Sequence, residues 1–247
     1  ITTRLVGSEM CIRDSLMLVF KDTITGLAAG VRLTSNDMLH KGDWITVKSV
    51  DANGIVEDMS LTTVKVRNFD NTIVTISPIT LVNGSFQNWI GMQKSGGRRV
   101  KRVVYFDFRS VRLVDETLKR NLLAKHFATE DSFKLKESLQ KAIDKDIQEG
   151  KDIEDLKNPA ALAPTNLQLY RKFMEKYLRQ RPEVNTDLTL MVRHMEATQC
   201  GLPIEFYFFI KDKVWVNYEH ILADIMEHAY ALANEFDLKI YEQYPEQ

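Results

Sequence analysis

The chain has 247 residues and a formal net charge of −1, from 33 Lys+Arg against 34 Asp+Glu. At ~100–200 residues per domain that allows one large domain or two small ones, and the balanced charge excludes a uniformly basic nucleic-acid binder while leaving room for a local basic patch. The composition, 44% hydrophobic and 27% charged, is that of a globular protein, and its two cysteines, Cys11 and Cys200, exclude a disulfide framework and a four-cysteine zinc site and fit a reducing compartment.

Residues Ile1 to Ser15 have no clean period, and their short apolar run is broken by Arg4, Glu9, Arg13 and Asp14, unlike a secretory signal. The string VGSEMCIRDS within them is similar to translated sequencing-adapter remnants. Residues 1–15 are therefore read as a non-native leader, and the chain, which has no start Met, as a fragment. No run of ~18 uncharged apolar residues is present, so hydropathy alone describes a soluble protein.

Leu16 to Phe20 is apolar, and a helix is expected to run on to about Thr34. Within it Gly26 and Gly30 stand four residues apart with Ala28 and Ala29 between them. That spacing puts both glycines on one face, open to a close neighbour helix. Each costs ~1 kcal/mol in a helix interior, which close packing offsets.

The pattern changes over residues 36–90. Asp43–Lys48 and Gly54–Leu61 have strand composition. From Thr62 to Arg67, Val64 and Val66 alternate with polar residues, the period of a half-buried strand. Asn68–Asn71, including Asp70, reads as a turn into a return strand over Thr72–Ile76, and Gly84–Trp89 adds a last strand. Five short strands in so few residues predict a small, strongly bent barrel.

A strand with a basic head (Arg98, Arg99, Lys101, Arg102) is expected over Arg98–Phe108, and a helix over Asp115–His126. Residues 130–158 carry charges of mixed sign at helical spacing, the mark of a solvated face. Thr165 is placed to cap a helix that stops near Arg181-Pro182. Strands follow at Leu188–Met195 and Ile204–Ile210, then a long amphipathic helix over Val214–Asn234 and a short edge strand at Leu238–Tyr241. This order predicts an α+β domain with helices on one face of its sheet.

No nucleophile elbow, P-loop or dinucleotide-binding glycine motif is present, and the chain is not read as an enzyme. His220, Asp224 and His228 share a helix face, but two histidines two turns apart are ~12 Å apart along the axis, too far for one ion. No metal or other cofactor is expected. Ser95-Gly96-Gly97-Arg98-Arg99 with Lys94, Lys101 and Arg102 forms a local basic run that keeps RNA binding open. Cys200 has no evident activating neighbour and is read as structural.

One ordered series of motifs is more specific. Gly26-Leu27-Ala28-Ala29-Gly30-Val31, Gly42-Asp43-Trp44-Ile45, Gly54 to Arg67, Asp70-Asn71-Thr72-Ile73-Val74 and Asn88 together resemble the small-conductance mechanosensitive channel family of bacteria. Asn36-Asp37-Met38-Leu39, Ser95 to Arg102 and Leu190-Met191-Val192-Arg193 resemble its miniconductance branch. The resemblance runs over about residues 16–245. It implies a homo-oligomer, a heptamer, in the bacterial inner membrane. In it residues 16–35 end a transmembrane pore-lining helix, 36–90 form a small Sm-like all-β barrel, and 91–247 form a cytoplasmic α+β (ferredoxin-like) domain with a charged insert at about 130–158. The implied function is tension-gated release of ions and small solutes in hypoosmotic shock, with the lipid bilayer as partner and no nucleic acid. The resemblance aligns Leu18 with a pore constriction, gives Gly26, Ala28, Ala29 and Gly30 to pore-helix packing, and gives Gly42, Gly54 and Asp70 to turns of the β domain. The sequence departs from the family at Ser77-Pro78, where Pro-Asn is usual, and at Lys21-Asp22, where the pore helix bends at a glycine. The alternative is a soluble Sm-like RNA-binding protein using the basic patch around 94–102.

Overall fold

A computed structural model describes residues 20–21, 23–134 and 163–243. Leu18, the leader and residues 135–158 of the charged insert lie outside the described residues. The chain divides into two compact units, residues 1–94 and 95–247.

The first unit opens with helix α1, residues 23–35, preceded by helical residues 20–21. Five strands follow in one sheet: β1 (Trp44–Val47), β2 (Ala52–Met59), β3 (Val64–Asn68), β4 (Ile73–Ile76) and β5 (Gln87–Asn88). The order across the sheet is β4–β3–β2–β1–β5, and every pairing is antiparallel. Period-2 alternation sends Ile45, Val47, Ala52, Val56, Val64, Val66 and Ile76 to one buried face. A register shift between Val56 and Asp58 bends β2, as an extra residue in one strand does. Helices α2 (Pro78–Asn83) and α3 (Ile90–Lys94) flank β5. Ser77-Pro78 ends β4 and starts α2, with Pro78 at the first helical position, where its missing N–H costs nothing. Leu81 from α2 and Leu33 from α1 complete the core.

The second unit is a sheet of three antiparallel strands, β6 (Arg98–Phe106), β7 (Met191–His194) and β8 (Leu202–Ile210), in the order β6–β8–β7. An isolated bridge between Phe106 and Ile240 takes the place of the edge strand expected at 238–241 and sets that segment beside β6. Helices α4 (Glu116–Ala124), α5 (Asn166–Gln180) and α6 (Trp215–Ala233) pack on one face of the sheet. The N-cap of α5 is Thr165, whose hydroxyl accepts from the Gln168 N–H at 3.1 Å. Val100, Val104, Phe106, Ile204, Phe206, Phe208 and Ile210 meet Tyr170, Met174, Leu222 and Ile225 in one apolar core. On the opposite face Glu205, fully buried, is paired with Arg193 at 2.5 Å and with Lys101 at 3.7 Å. Among the described residues no helix is long and apolar enough to cross a membrane.

Candidate functional site

Of the residues singled out from the sequence, the junction between α1 and the β sheet holds Ala29, Gly30 and Gly42. Helix α1 has two unlike sides. Leu33 is fully buried in the β core, and Ala29 and Gly30 are buried on the same flank. Burying a leucine is worth ~1.5–3 kcal/mol, so the helix end is firmly seated. A β-carbon at Gly30 would stand 2.2 Å from the carbonyl oxygen of Leu61, in the turn between β2 and β3. Gly30 is thus spent on contact within the chain. Gly26, one turn back, has nothing within 4 Å of that position, and Ala28 is exposed. The other side of α1 carries Ile24, Leu27 and Val31, which are 59%, 43% and 50% exposed, and Phe20 in the helical residues ahead of it is 49% exposed. Steps of three and four residues put the three residues of α1 in a single stripe. Helix α1 thus covers one apolar face on its own β domain and leaves the other exposed.

The helix ends through Asp37, whose φ of 51° is left-handed. The chain then drops Leu39 into the core and turns at Gly42, where φ is 93° and the N–H donates to the Val56 carbonyl at 2.8 Å. Glycine takes that conformation at no steric cost. Asp43 is 6% exposed and acts as a hub. Its Oδ2 accepts from the His40 backbone N–H at 3.1 Å and from the Asn88 amide at 2.7 Å. The same amide reaches the Met38 carbonyl at 3.3 Å, while Asn88 Oδ1 accepts from the Ile90 N–H at 2.9 Å. One pair of side chains therefore ties the α1–β1 loop to β5 and α3. Beside it Trp44 stacks on Trp89 at 4.8 Å and meets Phe69 edge-on at 5.3 Å.

Gly54 departs from the turn expected for it. It is the third residue of β2, paired with Ile45 and Asn68, and it needs no positive φ. What requires glycine is close approach, since a β-carbon would lie 1.9 Å from the Arg67 carbonyl oxygen. Asp70 does sit in the β3–β4 turn, where Oδ1 accepts from the Thr72 N–H and hydroxyl at 2.9 and 2.7 Å. Those two bonds hold its carboxyl below the ordinary value.

The basic run does not form one surface. Successive residues of β6 face opposite sides of the sheet, which separates Arg98 and Arg102 from Arg99 and Lys101. Arg98 lies over the Tyr218 ring at 4.3 Å, and Lys101 turns to Glu205. His228 is stacked on Tyr177 with Nδ1 2.7 Å from the Asp224 carbonyl oxygen. Among the described residues no group of His, Cys, Asp and Glu could hold a metal ion.

Leu61 and the Asp43–Asn88 pair escaped the sequence reading. Asp43 and Asn88 were both visible in the motif series, but nothing local links positions that far apart. Leu61 meets Gly30 through its backbone, which leaves no side-chain signature.

Comparison with known proteins agrees with this geometry. Residues 22–91 match the family described as mechanosensitive ion channel, beta-domain. The small-conductance mechanosensitive channel MscMJ of Methanocaldococcus jannaschii is 32% identical over 74 residues, 30% of this chain and 21% of that protein. An uncharacterized MscS family protein of Aquifex aeolicus is 32% identical over 114 residues, 45% of this chain and 30% of that one. The chain thus matches less than a third of the length of these relatives. Among solved structures, Helicobacter pylori MscS in its closed state superposes with a TM-score of 0.61 at 14% identity, over 100% of this chain and 73% of that one. Arabidopsis thaliana MSL1 superposes with a TM-score of 0.64 at 10% identity, over 98% and 65% of the two chains. At those identities the likeness is one of fold.

Proposed function

We propose that this chain, which is MscS-like in its β domain and its fold, serves as a subunit of a mechanosensitive ion channel in a membrane. The observation that carries the proposal is the two-sided helix α1. One flank is locked to a β domain that matches the mechanosensitive channel family, and the other is an exposed apolar stripe with small residues beside it. Such a helix suits packing against copies of itself around a pore. In this reading α1 continues a pore-lining helix from residue 16, Leu18 forms a constriction, and apolar rings close the pore by dewetting. Gly26 and Ala28 leave the slim, open surface for that packing, while Ala29 and Gly30 seat α1 on its own β domain, Gly30 on the β2–β3 turn. Membrane tension favours whichever state has the larger area in the bilayer, and that difference in free energy opens the pore.

The finer assignments follow the same reading. The bent five-stranded sheet supports an Sm-like β domain over about residues 36–90. In residues 91–247 the order strand, helices, two strands, helix, with the 240 segment beside β6, supports a ferredoxin-like domain. The assembly is a homoheptamer of the bacterial inner membrane with residues 36–247 in the cytoplasm. It releases ions and small solutes in hypoosmotic shock and needs no cofactor.

The test is patch-clamp recording under graded suction, in liposomes holding the subunit expressed from its complete reading frame. Tension-dependent unitary currents that change with Leu18→Ser are expected. Currents indifferent to that substitution would remove the assigned gate, and silence from verified, correctly inserted oligomers would overturn the channel.

A further inference from the structure

A cleft of about 320 Å³ lies between α5 and the loop that follows α4, and the channel reading makes no use of it. Its apolar walls are Phe127, Phe173 and Tyr177. Phe127 and Phe173 meet edge-to-face at 5.2 Å, which fixes both rings. Lys172 and Lys176 stand along one side, one helical turn apart. Neither lysine has an ion-pair or hydrogen-bond partner among the described residues. Elsewhere on the same helix and just past its end the cations are matched, Arg179 with Glu175 at 2.9 Å and Arg181 with Glu183 at 3.3 Å. Two like charges at this spacing repel each other, so an anion that bridges them is favoured. His126 lines the same cleft with its backbone at a φ of 58°, a conformation that costs a non-glycine residue energy. The acidic residues of the loop, Glu130 and Asp131, are not among the cleft's lining, and Asp131 is turned to Lys134 at 2.6 Å.

Aromatic walls beside two ammonium groups that have no partner among the described residues define the ligand by its chemistry. It needs an anionic group for the lysines and a flat ring for the phenylalanines. The volume is in the range of small-molecule sites, ~300–1,000 Å³. Inorganic phosphate alone would leave the aromatic walls wet. We propose that the cleft between α5 and the α4 loop binds a nucleoside monophosphate, its phosphate between Lys172 and Lys176 and its base against Phe127 and Phe173.

The test is calorimetric titration of the full chain with AMP, adenosine and inorganic phosphate, repeated on the double variant Lys172→Ala/Lys176→Ala. Both lysines are exposed, and alanine is the best helix former, so the variant is expected to keep the circular dichroism spectrum and melting temperature of the parent. Saturable AMP binding is expected. It should weaken at least about tenfold in the double variant, and as salt rises from about 50 to about 300 mM. Adenosine and phosphate should each bind at least about tenfold more weakly than AMP. Absence of AMP binding, affinity untouched by the double substitution, or phosphate binding as tight as AMP would each overturn the proposal. None of these outcomes bears on the channel reading.

Discussion

Gly30 of α1 lies against the backbone of Leu61, so closely that a β-carbon at Gly30 would stand 2.2 Å from the Leu61 carbonyl oxygen. The obstacle is backbone in a turn, which cannot swing aside as a side chain can. Gly30→Ala is therefore expected to push α1 off the β2–β3 turn and destabilise the unit by about 1–3 kcal/mol. Gly26→Ala is the control, because that position is open and alanine gains about 1 kcal/mol of helix propensity there. Thermal melts of the two variants should move in opposite directions. Hydrogen exchange over residues 23–35 should quicken only in Gly30→Ala. Equal behaviour of the two variants would mean that the contact does not hold the helix.

The Asp43–Asn88 pair makes a second prediction. Asp43 is nearly buried, and Asn88 supplies one of its two donors. Asn88→Ala leaves Oδ2 with only the His40 N–H, and it also strips a partner from the Met38 carbonyl and the Ile90 N–H. A loss of about 1–3 kcal/mol is expected from the underbonded carboxylate. Asn88→Asp should cost more than alanine, since it sets one carboxylate against another. Chemical denaturation of the three proteins reads the order directly.

What was legible in the sequence was whatever is periodic. Val64 and Val66 alternated and lie inward on β3, and Thr165 announced α5 as its cap. The expected boundaries of strands and helices shifted by a few residues, as at 191–194 in place of 188–195, because end residues have no pairing to declare them. What was not legible depends on approach in space. The family resemblance assigns Gly54 to a turn, yet the residue lies within β2, where it allows close approach to the Arg67 carbonyl of β3. The basic run looked continuous along the chain, but the strand period splits it across two faces. Gly30 was expected to meet another helix, and the contact the fold supplies is a turn of its own β domain.

Asn166 yields a third prediction. It is fully buried, and its amide donates to the Ser110 and Phe236 carbonyls at 2.8 and 3.0 Å. Its Oδ1 accepts from the Arg112 N–H at 3.0 Å. One side chain thus closes the start of α5 onto the loop after β6 and the end of α6. Asn166→Ala leaves buried carbonyls without donors and should cost about 2–4 kcal/mol. Asn166→Asp keeps the acceptor but turns the donor into a second oxygen facing two carbonyls. It should be the less stable of the two at neutral pH, and a melting temperature above that of the alanine variant would show that the donor is not what the site requires.

The fourth prediction concerns acid. Asp115 caps α4, its Oδ1 accepting from the Leu118 N–H at 2.7 Å, and its Oδ2 meets Arg112 at 2.5 Å. Arg112 also reaches Asp237 at 2.6 Å, which joins the cap to the segment after α6. The Leu118 N–H first, and Arg112 after it, hold the Asp115 carboxyl below its ordinary value. A carboxyl that is more acidic folded than unfolded leaves the unfolded chain binding more protons. Its contribution is therefore complete above the unfolded value of about 3.9 and is lost as pH falls below that through the folded value. Asp115→Asn keeps an oxygen for the cap but has no charge to lose. At pH 7 it should melt below the parent, by an amount that shrinks with added salt because the Arg112 attraction is screened at this exposed site. As pH falls below about 4 the parent should lose stability faster than the variant, so the two melting curves converge. If the gap at pH 7 persisted unchanged down to pH 2, the carboxyl would be contributing through its shape as a cap and not through its charge.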